Sequence, residues 1–386
     1  MKTIRYFFIA FISAVFLFPT TFAQKTKING YEFTIEKLLK TTPVKDQYHS
    51  STCWSFATIS FIETELIRTG KGEYDLSEMF IVHNTYPRKA DQNIRMQGYN
   101  YFTPGGQAHD VMTTIQNYGL IPESIYSGLP KNSTKPDHIT MDKILKSIVD
   151  TTACKKKGGV SPDWLPVVIK VLDSCLGKVP ENFNYSGKNY SPLGFMKELQ
   201  FNPDDYVEIT SYNHHPYNTK FVLEDKFNWA LVAYYNLSLD DFITVIDSAI
   251  NKGFSIVWDG DVSETEFFST IGIAVVPLKS WESKTTDEKN KTSQVPQKEK
   301  SITSLLRQTT FNDHSTTVDH LMHIIGKAKD QNGTIYYIAK NSWGTFVNDG
   351  YVYLSKSYVE LKTVAIMVNK QAIPAGIRKN LGINDN

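Results

Sequence analysis

Cys53 is the residue with the clearest potential for chemistry. It stands directly before an apolar segment that continues to Arg68, and the unpaired N–H groups at a helix N-terminus favour a thiolate over a thiol. Such a cysteine could act as a nucleophile. A lone cysteine is more commonly a small buried hydrophobe, so the rest of the sequence must decide between these two interpretations.

The segment after Cys53 predicts the helix that would position it. Residues Cys53–Arg68 are dense in apolar side chains and are followed by glycines, which is typical of a helix with a glycine stop. Because the apolar residues face more than one side, we expect this helix in the middle of a lobe. A loop containing Pro104–Gly106 follows, and then a helix near His109–Tyr118.

The middle and the end of the chain differ in pattern. Residues 138–250 are predicted to be mostly helical, because apolar residues recur three and four positions apart. The helices are expected at Ile139–Val149, Trp164–Leu176, Pro192–Leu199 and Asp240–Asn251. From residue 251 onward the runs are β-rich, with Phe254–Trp258 and Ile271–Val276 as the first strands.

A hairpin is predicted close to the C-terminal end. His320–Ala328 and Thr334–Lys340 flank an Asn-Gly pair that tolerates the positive φ angles of a tight turn. A third strand is expected at Tyr351–Leu354. The charged segment Glu282–Lys300 has almost no apolar residues, so we expect an exposed loop of low order there.

The composition excludes several classes of function. The chain has 386 residues, 41% of them apolar, and a formal net charge of +1. This balance provides no surplus of positive charge for nucleic acid, and we expect no such partner. Three cysteines without a Cys-x-x-Cys pair exclude a disulfide scaffold and a zinc site of that type. Cys154 and Cys175 could pair or remain two buried thiols.

The first 23 residues predict a cleavable secretion signal. Lys2 and Arg5 precede the apolar run Tyr6–Phe18, and Ala23 ends a short segment of the kind that signal peptidase cuts. The apolar run is shorter than the ~20 residues that a membrane span needs. We therefore expect a secreted or periplasmic protein, with no membrane association after the signal is removed.

The motifs around Cys53 decide in favour of a nucleophile. Gln47 stands six residues before Cys53, Trp54 follows it, and the downstream chain contains Asp319-His320 and Asn341-Ser342-Trp343-Gly344. In residue type, order and spacing these motifs resemble those of the papain-like cysteine peptidases. The resemblance implies an α+β, two-lobed papain-like fold with a helical lobe and a β-barrel-like lobe. It also implies peptide substrates, with no cofactor and no metal.

The resemblance implies a role for each residue of the constellation. Cys53 as thiolate would attack the peptide carbonyl, and His320 as imidazolium would stabilise the thiolate and then protonate the leaving amine. Asn341 would orient the ring of His320. The side chain of Gln47 and the backbone N–H of Cys53 would donate to the oxyanion.

Three further residues are implied to border the substrate. Trp343 would shield the contact between Asn341 and His320 from water. Gly105 and Gly106 match the segment whose backbone binds the substrate strand in these peptidases; an ordinary turn is the alternative.

The chain departs from the papain branch of the family. Residues 50–52 are Ser-Ser-Thr, without the cysteine of that branch, and 267 positions separate Cys53 from His320. The separation in the papain branch is roughly 130–150 residues, so on the order of 120 residues are inserted, which matches the predicted helical stretch 138–250. Strings such as Leu176–Pro180 and Tyr206–Tyr212 resemble the bleomycin hydrolase and aminopeptidase C branch.

That branch implies a particular organisation. The helical lobe would cover about 30–137, the helical insertion about 138–250 and the β-rich lobe about 251–370. A C-terminal arm, here about 373–386, would lie in the cleft and hold the free amino group of the substrate with its terminal carboxylate. Subunits would form a homohexamer, and the activity would be that of an aminopeptidase.

Alternatives remain at the level of the sequence. His323 and His49 compete with His320 as the base, although a step of three residues along a strand turns His323 to the opposite face. The pair His214-His215 could bind a metal, but adjacent side chains diverge, and a structural loop is the preferred interpretation. An open-cleft endopeptidase and a non-catalytic binding protein on the same fold are the rival functions.

Overall fold

The computed structural model describes residues 24–130, 133–154 and 163–384, so the predicted signal 1–23 lies outside the described residues. The helices are α1 Cys53–Arg68, α2 Glu78–Arg95, α3 Ala108–Tyr118, α4 Ile139–Ala153, α5 Trp164–Leu176, α6 Pro192–Glu198, α7 Leu239–Lys252, α8 Thr286–Thr292, α9 Ser304–Asn312, α10 Lys356–Lys362 and α11 Ala375–Asn380. The strands are β1 Lys25–Ile28, β2 Tyr31–Leu38, β3 Phe183–Tyr185, β4 Lys188–Tyr190, β5 Tyr206–Thr210, β6 Lys220–Val222, β7 Ala233–Asn236, β8 Ile256–Gly260, β9 Phe267–Phe268, β10 Ile273–Ala274, β11 His320–Lys329, β12 Ile335–Lys340, β13 Tyr351–Ser355 and β14 Thr363–Asn369.

Twelve of these strands form one sheet in the described part of the chain. Its order is β6-β7-β5-β14-β8-β11-β12-β13-β10-β9, with β2 pairing with β11 and β1 with β2. The pairs are antiparallel except β5–β7 and β10–β13. The hairpin predicted around Asn332-Gly333 is confirmed as β11–β12, and β11 lies at the centre of the sheet.

Helices cover both faces of the sheet around β8 and β11. On one face α1 packs with α2 to α5 in a core that includes Val257 and Leu321. On the other face α7 packs in a second core that includes Trp258 and Met322. Alternate residues of a strand point to opposite faces, so odd-numbered residues of β8 face α1, and even-numbered residues face α7.

The predicted central position of α1 is confirmed. Every residue from Cys53 to Leu66 is buried, as its apolar residues on several sides indicated. Helix α2 was not predicted, because its interior contains Pro87 and polar side chains such as Lys89 and Asn93 that are buried. These residues interrupt the spacing of apolar residues, three and four positions apart, by which a surface helix is recognised.

The structure differs from the sequence prediction in two segments. The stretch predicted as a helical insertion, 138–250, also contains β3 to β7, of which β5, β6 and β7 extend the main sheet. The segment Glu282–Lys300 is not a disordered loop. It contains α8, and Thr292 accepts a hydrogen bond of 2.8 Å from the buried hydroxyl of Tyr31.

The C-terminal tail lies on the face of the sheet that is remote from α1. Ile373, Ile377, Leu381 and Ile383 are buried in the core formed with α7. Up to Ile383, the predicted arm therefore does not enter a cleft beside Cys53, because the sheet separates the two faces. Within the described ranges, the helices are too short or too polar to cross a bilayer.

Candidate active site

Cys53 is the first residue of α1, and the strand β11 faces it. Its sulfur lies within hydrogen-bonding reach of the backbone of Leu321, the residue that follows His320. No side chain caps this helix end, and the backbone N–H groups of Cys53 and Trp54 act to stabilise the thiolate. These groups are placed to meet negative charge on the sulfur or on an oxyanion.

His320 and Asn341 form the predicted pair. Nε2 of His320 lies 2.7 Å from Oδ1 of Asn341, so His320 donates from Nε2, and Nδ1 is the nitrogen left for the thiol. The ring of Trp343 lies against that of His320, with centroids 4.7 Å apart. Trp343 is 42% exposed while Asn341 is buried, which fits the predicted shield over the contact between Asn341 and His320.

Burial governs the protonation of both reacting groups. It raises the pKa of the Cys53 thiol to about 11, against the nearby backbone N–H groups, which lower it. It lowers the pKa of His320 to about 4, with Asn341 acting in the opposite direction. Burial therefore disfavours charge on either group taken alone, whereas a thiolate and an imidazolium at this contact stabilise one another.

Gln47 is held beside Asn341 by two hydrogen bonds. The hydroxyl of Ser342 donates to Oε1 of Gln47 at 2.6 Å, and the backbone N–H of Gln47 donates to the carbonyl of Ser342 at 2.8 Å. Because Oε1 is occupied, the side-chain N–H₂ group is left to donate elsewhere. This is the orientation that a donor to an oxyanion needs.

An ion-pair network around Lys45 fixes the segment before Gln47. Nζ of Lys45 lies 2.8 Å from Glu78 at the start of α2 and 2.6 Å from Asp75. The carbonyl of Lys45 accepts from the N–H of Gly344 at 3.2 Å. The segment of Gln47 is thereby attached both to the helical lobe and to the Asn-Ser-Trp-Gly segment.

The Gly105-Gly106 segment lies between Trp54 and a loop of the inserted region. A Cβ atom on Gly106 would lie 3.0 Å from the ring of Trp54, and one on Gly105 would overlap the ring of Phe227. Phe227 belongs to residues 223–232, which we call the β6–β7 loop. The loop is held over the glycines by Trp229, whose Nε1 donates to Asp110 at 2.8 Å.

Sequence reasoning missed the acidic residues of the site. Asp259 in β8 pairs with Leu321 in the sheet and is only 3% exposed. Asp225 of the β6–β7 loop accepts a hydrogen bond of 2.9 Å from Nε2 of Gln107 at the start of α3. The signal that could have identified Asp259 is a lone carboxylate inside an apolar strand pattern.

The competing histidines have other partners. Nδ1 of His323 lies 2.9 Å from Oγ of Ser60, seven residues along α1 and so about 10 Å from Cys53. His49 packs on Tyr48 with ring centroids 3.9 Å apart.

The histidine pair on the surface is not isolated. Although adjacent side chains were expected to diverge, His214 and His215 share Glu224, at 3.0 and 2.7 Å. Their ligand atoms lie within 4.8 Å of one another. Cys154 and Cys175 are free thiols, so the disulfide considered for them is not formed.

The sequence is similar to that of known peptidases. A model of the Peptidase C1-like family matches residues 19–384. The chain is 23% identical to aminopeptidase C of Streptococcus thermophilus, over 90% of the chain and 84% of the relative. It is also 23% identical to the mitochondrial cysteine proteinase 1 of Saccharomyces cerevisiae, over 86% of the chain and 76% of the relative.

A solved structure shares the architecture. The crystal structure of pepw from Lactobacillus rhamnosis matches with a TM-score of 0.70 at 18% identity, over 90% of the chain and 84% of that structure. The likeness confirms the predicted α+β, papain-like fold class. The predicted resemblance to the aminopeptidase C branch is likewise confirmed by the similar proteins.

Proposed function

Because the chain belongs to the Peptidase C1-like family, it is a cysteine-type peptidase, and we propose that it is an aminopeptidase that releases N-terminal residues from peptides. The observation that carries the proposal is the contact between the N-terminal end of α1 and the first residues of β11. There the Cys53 sulfur meets the backbone of Leu321, next to a His320 ring that Asn341 orients at 2.7 Å. The similarity to aminopeptidase C supports the exopeptidase activity.

The reaction follows from the positions of these groups. Nδ1 of His320 takes the thiol proton, and the sulfur attacks the carbonyl carbon of the first residue. The oxyanion that forms receives hydrogen bonds from Gln47 and from the N–H of Cys53. His320 then returns the proton to the leaving amine, and water hydrolyses the thioester with His320 as base.

The site residues carry this proposal as a set. Cys53 is the nucleophile, His320 the acid and base, Asn341 the residue that orients it, and Gln47 the oxyanion donor. Around the substrate, Trp343 borders the leaving side, and Gly105 with Gly106 borders the strand on the acyl side. These seven residues are the ones that the sequence analysis predicted for the site.

Digestion of one decapeptide tests the activity. The peptide is supplied with a free N-terminus and, separately, with an N-acetyl group, and products are followed by mass spectrometry. We expect a ladder of N-terminal truncations from the free peptide alone, and none with Cys53→Ala. Comparable cleavage of both peptides would identify an endopeptidase, and no cleavage of either would identify a non-catalytic binding protein.

The proposal has two wider features, which concern location and assembly. The predicted signal 1–23 supports a secreted or periplasmic protein, for which N-terminal sequencing of the exported form should begin at Gln24. The family resemblance supports a homohexamer, which light scattering after size-exclusion chromatography would measure. Peptides are the partners that the proposed activity requires.

A further inference from the structure

Asp259 is a buried carboxyl group with few polar contacts in the described part of the chain. It is 3% exposed, and neither of its side-chain oxygens has a hydrogen-bond partner among the described residues. The amide of Gln107 donates to Asp225 at 2.9 Å, and it also lies near enough to Asp259 to lower the pKa of that carboxyl. Burying a carboxyl without hydrogen bonds costs stability, and such a group in a site points to a missing ligand.

The position of Asp259 relates it directly to the nucleophile. In the β8–β11 ladder Asp259 is the partner of Leu321, whose backbone lies within hydrogen-bonding reach of the Cys53 sulfur. Partner residues of an antiparallel ladder have Cα atoms about 4.5–5.5 Å apart. As an odd-numbered residue of β8, Asp259 also faces α1, like Val257. Only the backbone of Leu321 therefore separates the position of Asp259 from the Cys53 sulfur.

The β6–β7 loop limits what can reach this carboxyl. Gly106 contacts Trp54, the neighbour of Cys53, and Gly105 is one residue further along the cleft. Phe227 lies against Gly105 and packs edge-on against Tyr101 with centroids 5.5 Å apart. If the substrate strand runs along Gly105-Gly106, as the sequence predicts, a residue that precedes the cleaved one meets the ring of Phe227. The substrate chain therefore ends beside Asp259.

We propose that Asp259 binds the free α-ammonium group of the substrate, while the β6–β7 loop closes the cleft behind it. This inference rests on the proposed peptidase function and names the group that makes it an exopeptidase. In the residue being cleaved, the α-nitrogen is two bonds from the attacked carbonyl carbon, so a carboxyl one residue from the sulfur is at the required distance. The C-terminal tail, which packs on the α7 face, has no part in this recognition.

The electrostatics of the empty site agree with this role. Burial, together with the nearby Asp225, raises the pKa of Asp259 well above its usual range, which favours the neutral carboxyl when no cation is bound. An ammonium group supplies the opposite charge that allows the carboxyl to ionise. When ionised, Asp259 raises the pKa of the Cys53 thiol, and a bound ammonium cancels that effect in the complex.

A primary ammonium could also come from a lysine side chain one residue upstream, and the substrates of the test separate the two sources. The substrates are alanyl-aminomethylcoumarin, its N-acetyl form, and acetyl-lysyl-alanyl and acetyl-norleucyl-alanyl forms. The wild-type enzyme should cleave the free amine at least 100-fold more efficiently than the acetylated one. Lysine should give no advantage over norleucine. A lysine preference that Asp259→Asn removes would overturn the assignment to the α-ammonium.

The variant Asp259→Asn keeps the shape and removes the charge. For the free amine we expect kcat/KM to fall about 10- to 100-fold, mainly through KM, because a charge-assisted hydrogen bond is lost. The acetylated substrate should be cleaved at the wild-type rate or faster. Asp330→Asn is the matched control, since it changes another buried aspartate in the β11–β12 turn, and it should leave the selectivity unchanged.

Binding without turnover separates this inference from the function on which it rests. In Cys53→Ala, calorimetry should detect alaninamide and not N-acetylalaninamide, and adding Asp259→Asn should abolish the difference. Equal binding of the two amides would refute the role of Asp259 even if Asp259→Asn failed to fold. A Cys53-dependent hydrolysis that is absent throughout would instead refute the peptidase function.

Discussion

Replacing Gln47 tests how the oxyanion is stabilised. Gln47→Ala removes the side-chain donor but keeps the backbone hydrogen bond of 2.8 Å from residue 47 to Ser342, so the segment stays in place. Loss of one donor from such a site costs about 2.7–4 kcal/mol, or a fall in kcat of about 10²–10³. The loss should appear in kcat, because the donor meets charge that develops only during the reaction.

Ser342→Ala should lower kcat less than Gln47→Ala does, because it affects the same oxyanion donor only indirectly. It removes the hydrogen bond of 2.6 Å that occupies Oε1 of Gln47 and leaves the donor itself. One neutral hydrogen bond contributes about 0.5–1.5 kcal/mol, which corresponds to a fall in kcat of roughly 2- to 13-fold. Since Ser342 acts through Gln47, the double variant should be no slower than Gln47→Ala alone.

The assay is steady-state hydrolysis of alanyl-aminomethylcoumarin by the four proteins, with circular dichroism to show that each is folded. A Gln47→Ala variant that changes KM and leaves kcat within 3-fold would refute the oxyanion role. A double variant with an additional loss equal to that of Ser342→Ala alone would show that Ser342 does not act by orienting Gln47.

Three further outcomes are expected from the same structure. Cys53→Ser should lose nearly all hydrolysis, since a hydroxyl is a far weaker nucleophile than a thiol in this setting, and iodoacetamide should no longer label position 53. Leu381→Ala should lower the free energy of unfolding by about 2–5 kcal/mol without changing the preference for free amines, measured by thermal melting and by the acetylated substrate pair. His138 is buried with both ring nitrogens unpartnered among the described residues, and burial lowers its pKa to about 4 from the ~6.5 of a free histidine. The unfolded chain therefore binds this proton first, and about 3 kcal/mol of stability is lost as the pH falls from 6.5 to 4; melts of His138→Asn should be less sensitive to pH over that range.

The sequence predicted the elements that carry a strong local pattern. Helix α1 has the predicted bounds, and the hairpin that carries His320 and Asn341 follows from alternating apolar residues around an Asn-Gly turn. The order of Gln47, Cys53, His320 and Asn341 was sufficient to indicate which residues meet. Their meeting itself depends on β11 lying at the centre of the sheet under α1, which no local pattern contains.

The parts that were missed depend on contacts between distant segments. Helix α2 buries Lys89, whose ammonium reaches the carbonyl of Thr103, so a residue that reads as surface lies in the interior. Strand β5 joins the sheet because β14, more than 150 residues later, pairs with it. A local reading of residues 206–210 cannot supply that partner. Asp259 has the same origin: its register opposite Leu321 exists only in the assembled sheet.

The positions of the C-terminal tail and of Asp259 together indicate how the cleft recognises the free amino group of a peptide. A C-terminal arm can do so only if its carboxylate reaches the nucleophile, yet Ile377, Leu381 and Ile383 are buried on the face of α7. Removing them from that core would cost roughly 1.5–3 kcal/mol for each side chain, so the tail is held away from the cleft. A carboxyl carried by β8 is fixed by the sheet instead and requires no such ordering of a chain end. Recognition of a free amino group in this protein is therefore expected to depend on Asp259 and on the loop that carries Phe227, and to survive changes in the tail.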